Sequence, residues 1–346
     1  MLTPAELRQT LDSIAATQHR DGCIPWFPGG HADPWDHVEA AMALDVGGGH
    51  RQAVERAYEW LLRTQRPDGA LAFYYRDGEV EDPKLDANHS TYLAAGVWHH
   101  VQLTGDNGFL EEMWPVVEAA VEFALSLQRD SGEIVWMRLP DGTPGDYALL
   151  TASSCIHLSL RCAIALAERL GHERPDWELA LGSLAHAVGH RPEAFEDKDR
   201  FSIDWYYPVL GGVLTGQRAR VRLFDRWETF VVPGRGVRCV ADQPWITPAE
   251  TCEAVMAMSV AGLDREARQL FEWVQYLRDD DGSYWTGHNY VEQDHYPEGE
   301  RTTWTAAAVV LAHEVLSRNG ATRSLFLGED LPVGVGADEI EEPVAD

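Results

Sequence analysis

The connections between apolar helical segments alternate in length along the whole chain, and this alternation constrains the fold more than any other feature. Helical periodicity marks twelve segments, at about 3–18, 34–46, 50–65, 87–104, 108–128, 148–170, 175–190, 203–214, 217–229, 248–261, 264–278 and 302–317. After each even-numbered segment but the last, the connection is short and carries glycine: Gly47-Gly48-Gly49, Gly105-Asp106-Asn107, Gly171-His172, Gly216-Gln217 and Gly262-Leu263. After each odd-numbered segment it is long: about 19–33, 66–86, 129–147, 191–202, 230–247 and 279–301. Short connections make antiparallel helical hairpins. The even segments are also the more apolar and richer in small residues, as in Ala306-Ala307-Ala308-Val309-Val310-Leu311-Ala312. The expected fold is all-α: six hairpins closed into an (α/α)6 barrel over residues 1–320, even helices inside, every long loop at one mouth. Residues 321–346 are glycine-, proline- and acid-rich with little periodicity, and read as a disordered acidic tail.

Local signals agree with this layout. Thr3-Pro4-Ala5-Glu6 and Thr247-Pro248-Ala249-Glu250 are the same helix start: a threonine cap, proline at the first position, glutamate three residues on. Asp33-Pro34-Trp35-Asp36 has the same shape. A short repeat ends several outer helices: Gln18 to Gly22, Gln65 to Gly69, Gln128 to Gly132 and Leu277 to Gly282, each followed by an aromatic (Trp26, Phe73, Trp136, Tyr284 with Trp285). Asp-Gly is a turn pair, so the repeat is expected to stop an outer helix and turn the chain toward the mouth.

Composition narrows the partners. A formal net charge of −28 disfavours nucleic acid and anionic membrane surfaces. No apolar run near 18 residues and no leader pattern is evident, so neither a membrane span nor a signal peptide is expected. The five cysteines (Cys23, Cys155, Cys162, Cys239, Cys252) show no CxxC spacing, which points to a reduced, cytoplasmic protein without disulfides or a zinc cage. No cofactor or metal motif is present, and Asp279-Asp280-Asp281-Gly282 lacks the ligand spacing of a calcium loop. Thirteen tryptophans suit sugar faces or a hydrocarbon chain equally.

Candidate chemistry therefore sits on the long loops and at the starts of the even helices, where acids are interleaved with aromatics. Asp33, Asp36, Asp86 and Glu250 stand where helix capping alone explains a carboxylate. His89 falls one turn into an inner helix, facing the cavity; His99 and His100 lie deeper and read as structural. Asp204-Trp205-Tyr206-Tyr207 places an acid beside an aromatic wall. Glu298 and Glu300 precede the last inner helix by several residues, so capping does not account for both. They lie among Trp285, His288, Tyr290, Arg301 and Trp304. Paired carboxylates in an aromatic-walled pocket are what glycosidic chemistry needs.

Two resemblances attach to these residues. Leu103 to Gln128, and Tyr296-Pro-Glu-Gly-Glu-Arg-Thr-Thr-Trp-Thr-Ala-Ala308, resemble segments of six-hairpin glycosidases such as glucoamylases. By position that likeness implies Glu298 or Glu300 as catalytic base. The matching place for the acid reads Gly145-Asp-Tyr-Ala-Leu-Leu150 and offers only Asp146 in place of a glutamate pair. The Gln-x-x-Asp-Gly-aromatic repeats, best in Ala57 to Phe73, are similar to those of the prenyltransferase and squalene-cyclase superfamily, also built on α/α barrels. Its Asp-x-Asp-Asp run and zinc site are not found here.

The sequence reading is thus a glycosidase-like enzyme acting on a small-molecule or oligosaccharide substrate. Glu300 or Glu298 serves as base; Asp146, or failing that Asp86 or Asp204, serves as acid. Trp26, Trp35, Tyr207, Trp245, Trp285 and Trp304 stack on sugars, with Asp36, His89, Arg238, His288, Tyr290 and Arg301 binding around them. The alternatives are an isoprenoid enzyme and a non-catalytic carbohydrate-binding barrel.

Overall fold

The computed structural model describes residues 1–297, 299–317 and 320–333. In chain order the helices begin with α1 (Pro4–Thr17), α2 (Pro34–Val46), α3 (Arg51–Thr64), α4 (Ala87–Thr91), α5 (Leu93–Thr104), α6 (Asn107–Leu125) and α7 (Leu150–Leu170). They continue with α8 (Pro175–His190), α9 (Ser202–Leu210), α10 (Gly216–Asp225), α11 (Trp227–Phe230), α12 (Pro248–Val260), α13 (Asp264–Val274), α14 (Thr303–Leu316) and α15 (Ala321–Leu327). The inner ring closes: α2 packs on α5, α5 on α7, α7 on α9, α9 on α12, α12 on α14, and α14 back on α2. This is the (α/α)6 barrel expected from the loop alternation. Inner helices touch neighbours on nearly every side, which is why α2, α12 and α14 are apolar all round and rich in alanine. The outer helices α3 and α13 carry one apolar stripe and a charged outer face.

The glutamine repeat joins these outer helices. Gln18 Nε2 donates to Gly22 O in its own turn (3.0 Å) and to Ala53 O of α3 (2.8 Å). Gln65 does the same to Gly69 O and to Val116 O of α6, and Gln128 to Gly132 O and to Ala180 O of α8. The glycine is required twice over: at Gly22 φ is +99°, and a Cβ there would sit 2.0 Å from Arg56 O. At the seam between α13 and α1 the turn lacks the glutamine, and Thr10 Oγ1 donates to Gly282 O instead (2.8 Å).

Three expectations change. α7 is long and apolar enough, by length and composition, to cross a membrane, contrary to the sequence reading; it is almost wholly buried as an inner barrel helix. The long loops also hold strands. Loop 66–86 folds as a hairpin of β1 (Ala72–Arg76) and β2 (Glu79–Asp86), extended by β3 (Met137–Arg138). A ribbon of β4 (Val231–Val232) and β5 (Gly236–Val237) precedes a small sheet of β6 (Trp245–Ile246), β7 (His288–Asn289) and β8 (Asp294–His295). Finally, the tail does not begin at residue 321. α15 packs on α14, α5 and α12 at the closed end of the barrel. Thr322 Oγ1 meets His99 Nε2 at 2.8 Å, and Arg161, buried, donates to Pro332 O at 2.9 Å. Residues 334–346 lie outside the described residues.

Candidate active site

The start of α2 brings the first two acids to the mouth. Asp33 is its N-cap, accepting from Asp36 N at 2.9 Å, as the capping reading expected. Its second oxygen accepts from Trp26 Nε1 at 2.8 Å, and His89 Nε2 lies 4.0 Å from the first. Burial acts to raise the Asp33 pKa, but His89 and the hydrogen bonds from Asp36 and Trp26 outweigh it and hold the carboxyl low. Asp36 goes the other way. Burial pushes it well above the ordinary carboxylate range, and the Asp33 charge, a hydrogen bond between the two carboxyls, and the nearby Glu39 and Glu253 add to the push. Of the two, Asp36 is therefore the one that keeps its proton to higher pH and Asp33 the one that ionises first.

One turn deeper, burial raises Glu39 to about 7, against the lowering effect of Tyr92, whose hydroxyl donates to Glu39 Oε1 at 3.1 Å. Glu253 of α12 is held by two hydroxyls, Tyr207 at 2.6 Å and Tyr206. It is pushed well above its usual range by burial and by Glu39 despite those donors. Trp35 meets the rings of Tyr92 and Tyr207 edge-on at 5.9 and 5.7 Å and closes this floor. Carboxyls crowded into one buried space cannot all ionise together, so the centre of the mouth keeps protons above the ordinary carboxylate range.

Glu250 departs from its capping expectation. At α1 the box is complete: Thr3 N donates to Glu6 Oε2 (2.7 Å) and Glu6 N to Thr3 Oγ1 (3.3 Å). At α12 Thr247 makes no side-chain capping bond, and Glu250 Oε2 is buried with no hydrogen-bond partner among the described residues. Burial raises the Glu250 pKa, with the Thr247 hydroxyl pulling the other way.

The other sequence candidates divide. Asp86 is buried, caps α4 by accepting from His89 N (2.9 Å), and is raised by burial. His89 is buried between Asp33 and the stacked ring of Phe73 (4.8 Å), with Nδ1 unpartnered among the described residues. Trp26 packs edge-on to Trp304 at 6.0 Å, and Trp304 Nε1 is a buried donor without a partner among the described residues. Trp26, Trp35, Asp36, Asp86, His89 and Tyr207 therefore gather around one centre, with Trp304 beside Trp26.

The rest do not. Asp204 accepts from Thr151 Oγ1 at 2.5 Å and ties α9 to α7, with Arg222 donating to its backbone carbonyl. Asp146 is exposed, and Arg129 binds its backbone carbonyl (2.7 Å), so it is not the buried acid that the reading required. Arg301 is occupied by Asp279 and by Asp281 (3.1 Å) and lies over Trp285, whose ring also stacks on His295 at 3.9 Å. Both sugar-binding assignments are lost, because each group is already engaged. Arg238 donates to Tyr290 Oη (2.8 Å), His288 pairs with Ile246 in the β6–β7 ladder, and Trp245 stacks on Tyr296 (4.1 Å), so these hold loops 230–247 and 279–301 together. Glu300 lies beside the mouth, half-buried and near His31. Glu298 lies outside the described residues.

Sequence reasoning missed Glu39 and gave Glu253 no role. The available signal was an acid inside a helix apolar on all sides, His37-Val-Glu39-Ala-Ala41 and Thr251-Cys-Glu253-Ala-Val255, where a carboxylate is buried and must have partners. Among the described residues, no group of three or more His, Cys, Asp or Glu is arranged to hold a metal ion. What the cluster offers is proton chemistry: a carboxyl raised by burial beside a carboxylate held low, with a further glutamate, Glu250, that carries a buried oxygen without a partner among the described residues.

No family model matches the chain. It is 51% identical over 335 residues to the MMP endo-(1,4)-3-O-methyl-alpha-D-mannosidase of Mycolicibacterium hassiacum, covering 97% of this chain and 92% of that protein. An uncharacterized glycosyl hydrolase of Methanocaldococcus jannaschii matches at 25% over 281 residues, 76% of this chain and 41% of the relative. Among solved structures, the GH63 mannosylglycerate hydrolase from Thermus thermophilus superposes with a TM-score of 0.66 at 14% identity, covering 88% of this chain and 99% of that one. The likeness to isoprenoid enzymes is local: 42% identity over 62 residues of a drimenyl diphosphate synthase from Streptantibioticus cattleyicolor, 18% of this chain and 12% of that protein. The chain belongs to the family of the Mycolicibacterium endo-mannosidase and is a glycoside hydrolase built on an (α/α)6 barrel.

Proposed function

We propose that this hydrolase cuts within α-(1,4)-linked chains of 3-O-methylmannose, with Asp36 as general acid and Glu250 as general base. Identity of 51% across 97% of the chain to an enzyme of that name carries the substrate. The contrast between a buried Asp36 whose carboxyl is pushed well above the ordinary range and a Glu250 oxygen buried without a hydrogen-bond partner among the described residues supports the roles. In the cleavage step Asp36 gives its proton to the glycosidic oxygen as the bond to the anomeric carbon breaks. Glu250 takes a proton from the water whose oxygen attacks that carbon, leaving two shorter chains and a reducing end of inverted configuration. Asp33, ionised, orients Asp36 and takes up the proton-sharing bond between cycles. Glu39 and Glu253, fixed by Tyr92, Tyr206 and Tyr207, form the floor that keeps Asp36 protonated.

The test is digestion of 3-O-methylated α-(1,4)-mannan oligosaccharides of defined length, with NMR of the first-formed anomer. Internal cuts with inversion support the whole reading. Retention would make Glu250 a nucleophile, and release of single sugars from one end would overturn endo action. Asp36→Asn and Glu250→Gln are each expected to lower kcat by about 10²- to 10⁴-fold.

A further inference from the structure

The segment before α14 is where the sequence placed the base, and the central cluster leaves it without a role. Beside the mouth, between the C-terminal half of α1, the tip of loop 19–33 and the start of α14, lies a cavity of about 820 Å³. Its walls include Ser13, Phe27, Ser283, Glu300, Thr302 and Thr303. That volume falls in the range of ligand sites. The lining sets the Glu300 carboxylate and the Phe27 ring among groups already committed: the Arg301–Asp281 ion pair and the hydroxyls of Ser13, Ser283, Thr302 and Thr303, which hydrogen-bond within the protein.

Three observations tie this cavity to the cleaving centre. Thr303 N donates to Trp26 O at 2.7 Å, and Thr303 Oγ1 to Pro25 O at 2.8 Å, so loop 19–33 is fastened to the start of α14. That loop sends Trp26 to Asp33 on one side and Phe27 into the cavity on the other. Glu300 stands at the partition: it lines the cavity while its charge is felt by His31, whose ring packs on Trp26 at 4.2 Å. Neighbouring Arg301 is already held by Asp279 and Asp281, and among the described residues nothing comparable holds the Glu300 carboxylate.

We infer that this cavity is a remote sugar subsite, in which Glu300 accepts hydrogen bonds from the hydroxyls of a residue several sugars away from the bond being cut, with Phe27 against the sugar face. The inference rests on the endo-acting reading above: an enzyme that cuts inside a chain must hold the chain beyond the cleavage point. Glu300 is then a substrate-binding residue rather than the base that its position before the last inner helix suggests.

The experiment compares wild type, Glu300→Ala, Glu300→Gln and Phe27→Ala on a series of methylated α-(1,4)-mannan oligosaccharides of rising length, reading kcat and KM separately. For wild type, kcat/KM should climb at the length that first reaches the cavity. Glu300→Ala should remove about ten-fold or more of kcat/KM for chains beyond that length, through KM, and leave shorter chains unchanged. Glu300→Gln should recover part of the loss and Phe27→Ala reproduce it. Equal loss at every length, or loss in kcat alone, would place Glu300 in the cleaving machinery and overturn the inference, as would no loss at any length. Thermal melts of each variant confirm the fold. If wild type leaves the methylated series uncut but cuts another α-linked glycan, the substrate reading fails by itself, and the length series is run on that glycan.

Discussion

The same four residues, Thr-Pro-Ala-Glu, start α1 on the outside of the barrel and α12 on the inside. Outside, in water, Glu6 closes a capping box with Thr3, and those hydrogen bonds hold its carboxyl below the ordinary range. Inside, Glu250 gives up the reciprocal bonds, keeps a buried oxygen without a partner among the described residues, and is raised by burial. Local sequence sets the helix start in both places. Surroundings decide whether the glutamate is used up by its own helix or buried without a partner among the described residues.

Four measurements break or sharpen that contrast. The largest effect is expected from Glu250→Gln, about 10²- to 10⁴-fold in kcat with little change in Tm; full turnover in this variant would reduce α12 to a second α1. Next is the size of the inner-ring proton store. Below pH 4.5 Glu39 is protonated in both folded and unfolded chains; between 4.5 and about 7 only the unfolded chain ionises there, so stability falls as pH rises. The loss should be on the order of 3 kcal/mol across that window. Denaturant melts of wild type and Glu39→Gln at several pH values would show it as a slope that the variant flattens.

Third, Asp33→Asn removes the charge and the carboxyl–carboxyl hydrogen bond that help raise Asp36. With Asp36 as the proposed general acid, the alkaline limb of the kcat/KM profile should move to lower pH by about one unit or more. An unmoved limb would show that another group is the acid. The smallest effect belongs to the outer copy: Glu6→Ala should lower Tm by about 1–2 °C and leave kcat unchanged.

The fold was largely legible because hydrophobic period, helix caps and glycine-bearing short loops all point to one closed ring. The β1–β2 hairpin was also signalled, by Asp77-Gly78, both at positive φ, in a two-residue turn between alternating residues; the length of the loop around it masked that signal. The site was less legible. Aromatics and acids at the mouth could be named, and Asp36, Asp86, His89, Trp26, Trp35 and Tyr207 do converge. Which carboxylates meet depends on α2 and α12 facing one centre, as the mutual influence of Glu39 and Glu253 shows, although the two helices lie more than 200 residues apart in sequence, and no local pattern carries that. Asp146 and Arg301 failed for a related reason: the exposure of one, and the commitment of the other to Asp279 and Asp281 at the far end of its own loop, follow from how the loops fold back.

The glutamine clasps that fasten α1 to α3, α3 to α6 and α6 to α8 act before the chain departs into each mouth loop. Closure of the outer ring at those joints therefore draws only on the first turn of each loop, through the carbonyls of Gly22, Gly69 and Gly132, and not on what the loop carries beyond it. Such a frame can exchange its loops, lengthen them or reassign their acids over evolutionary time without first being rebuilt.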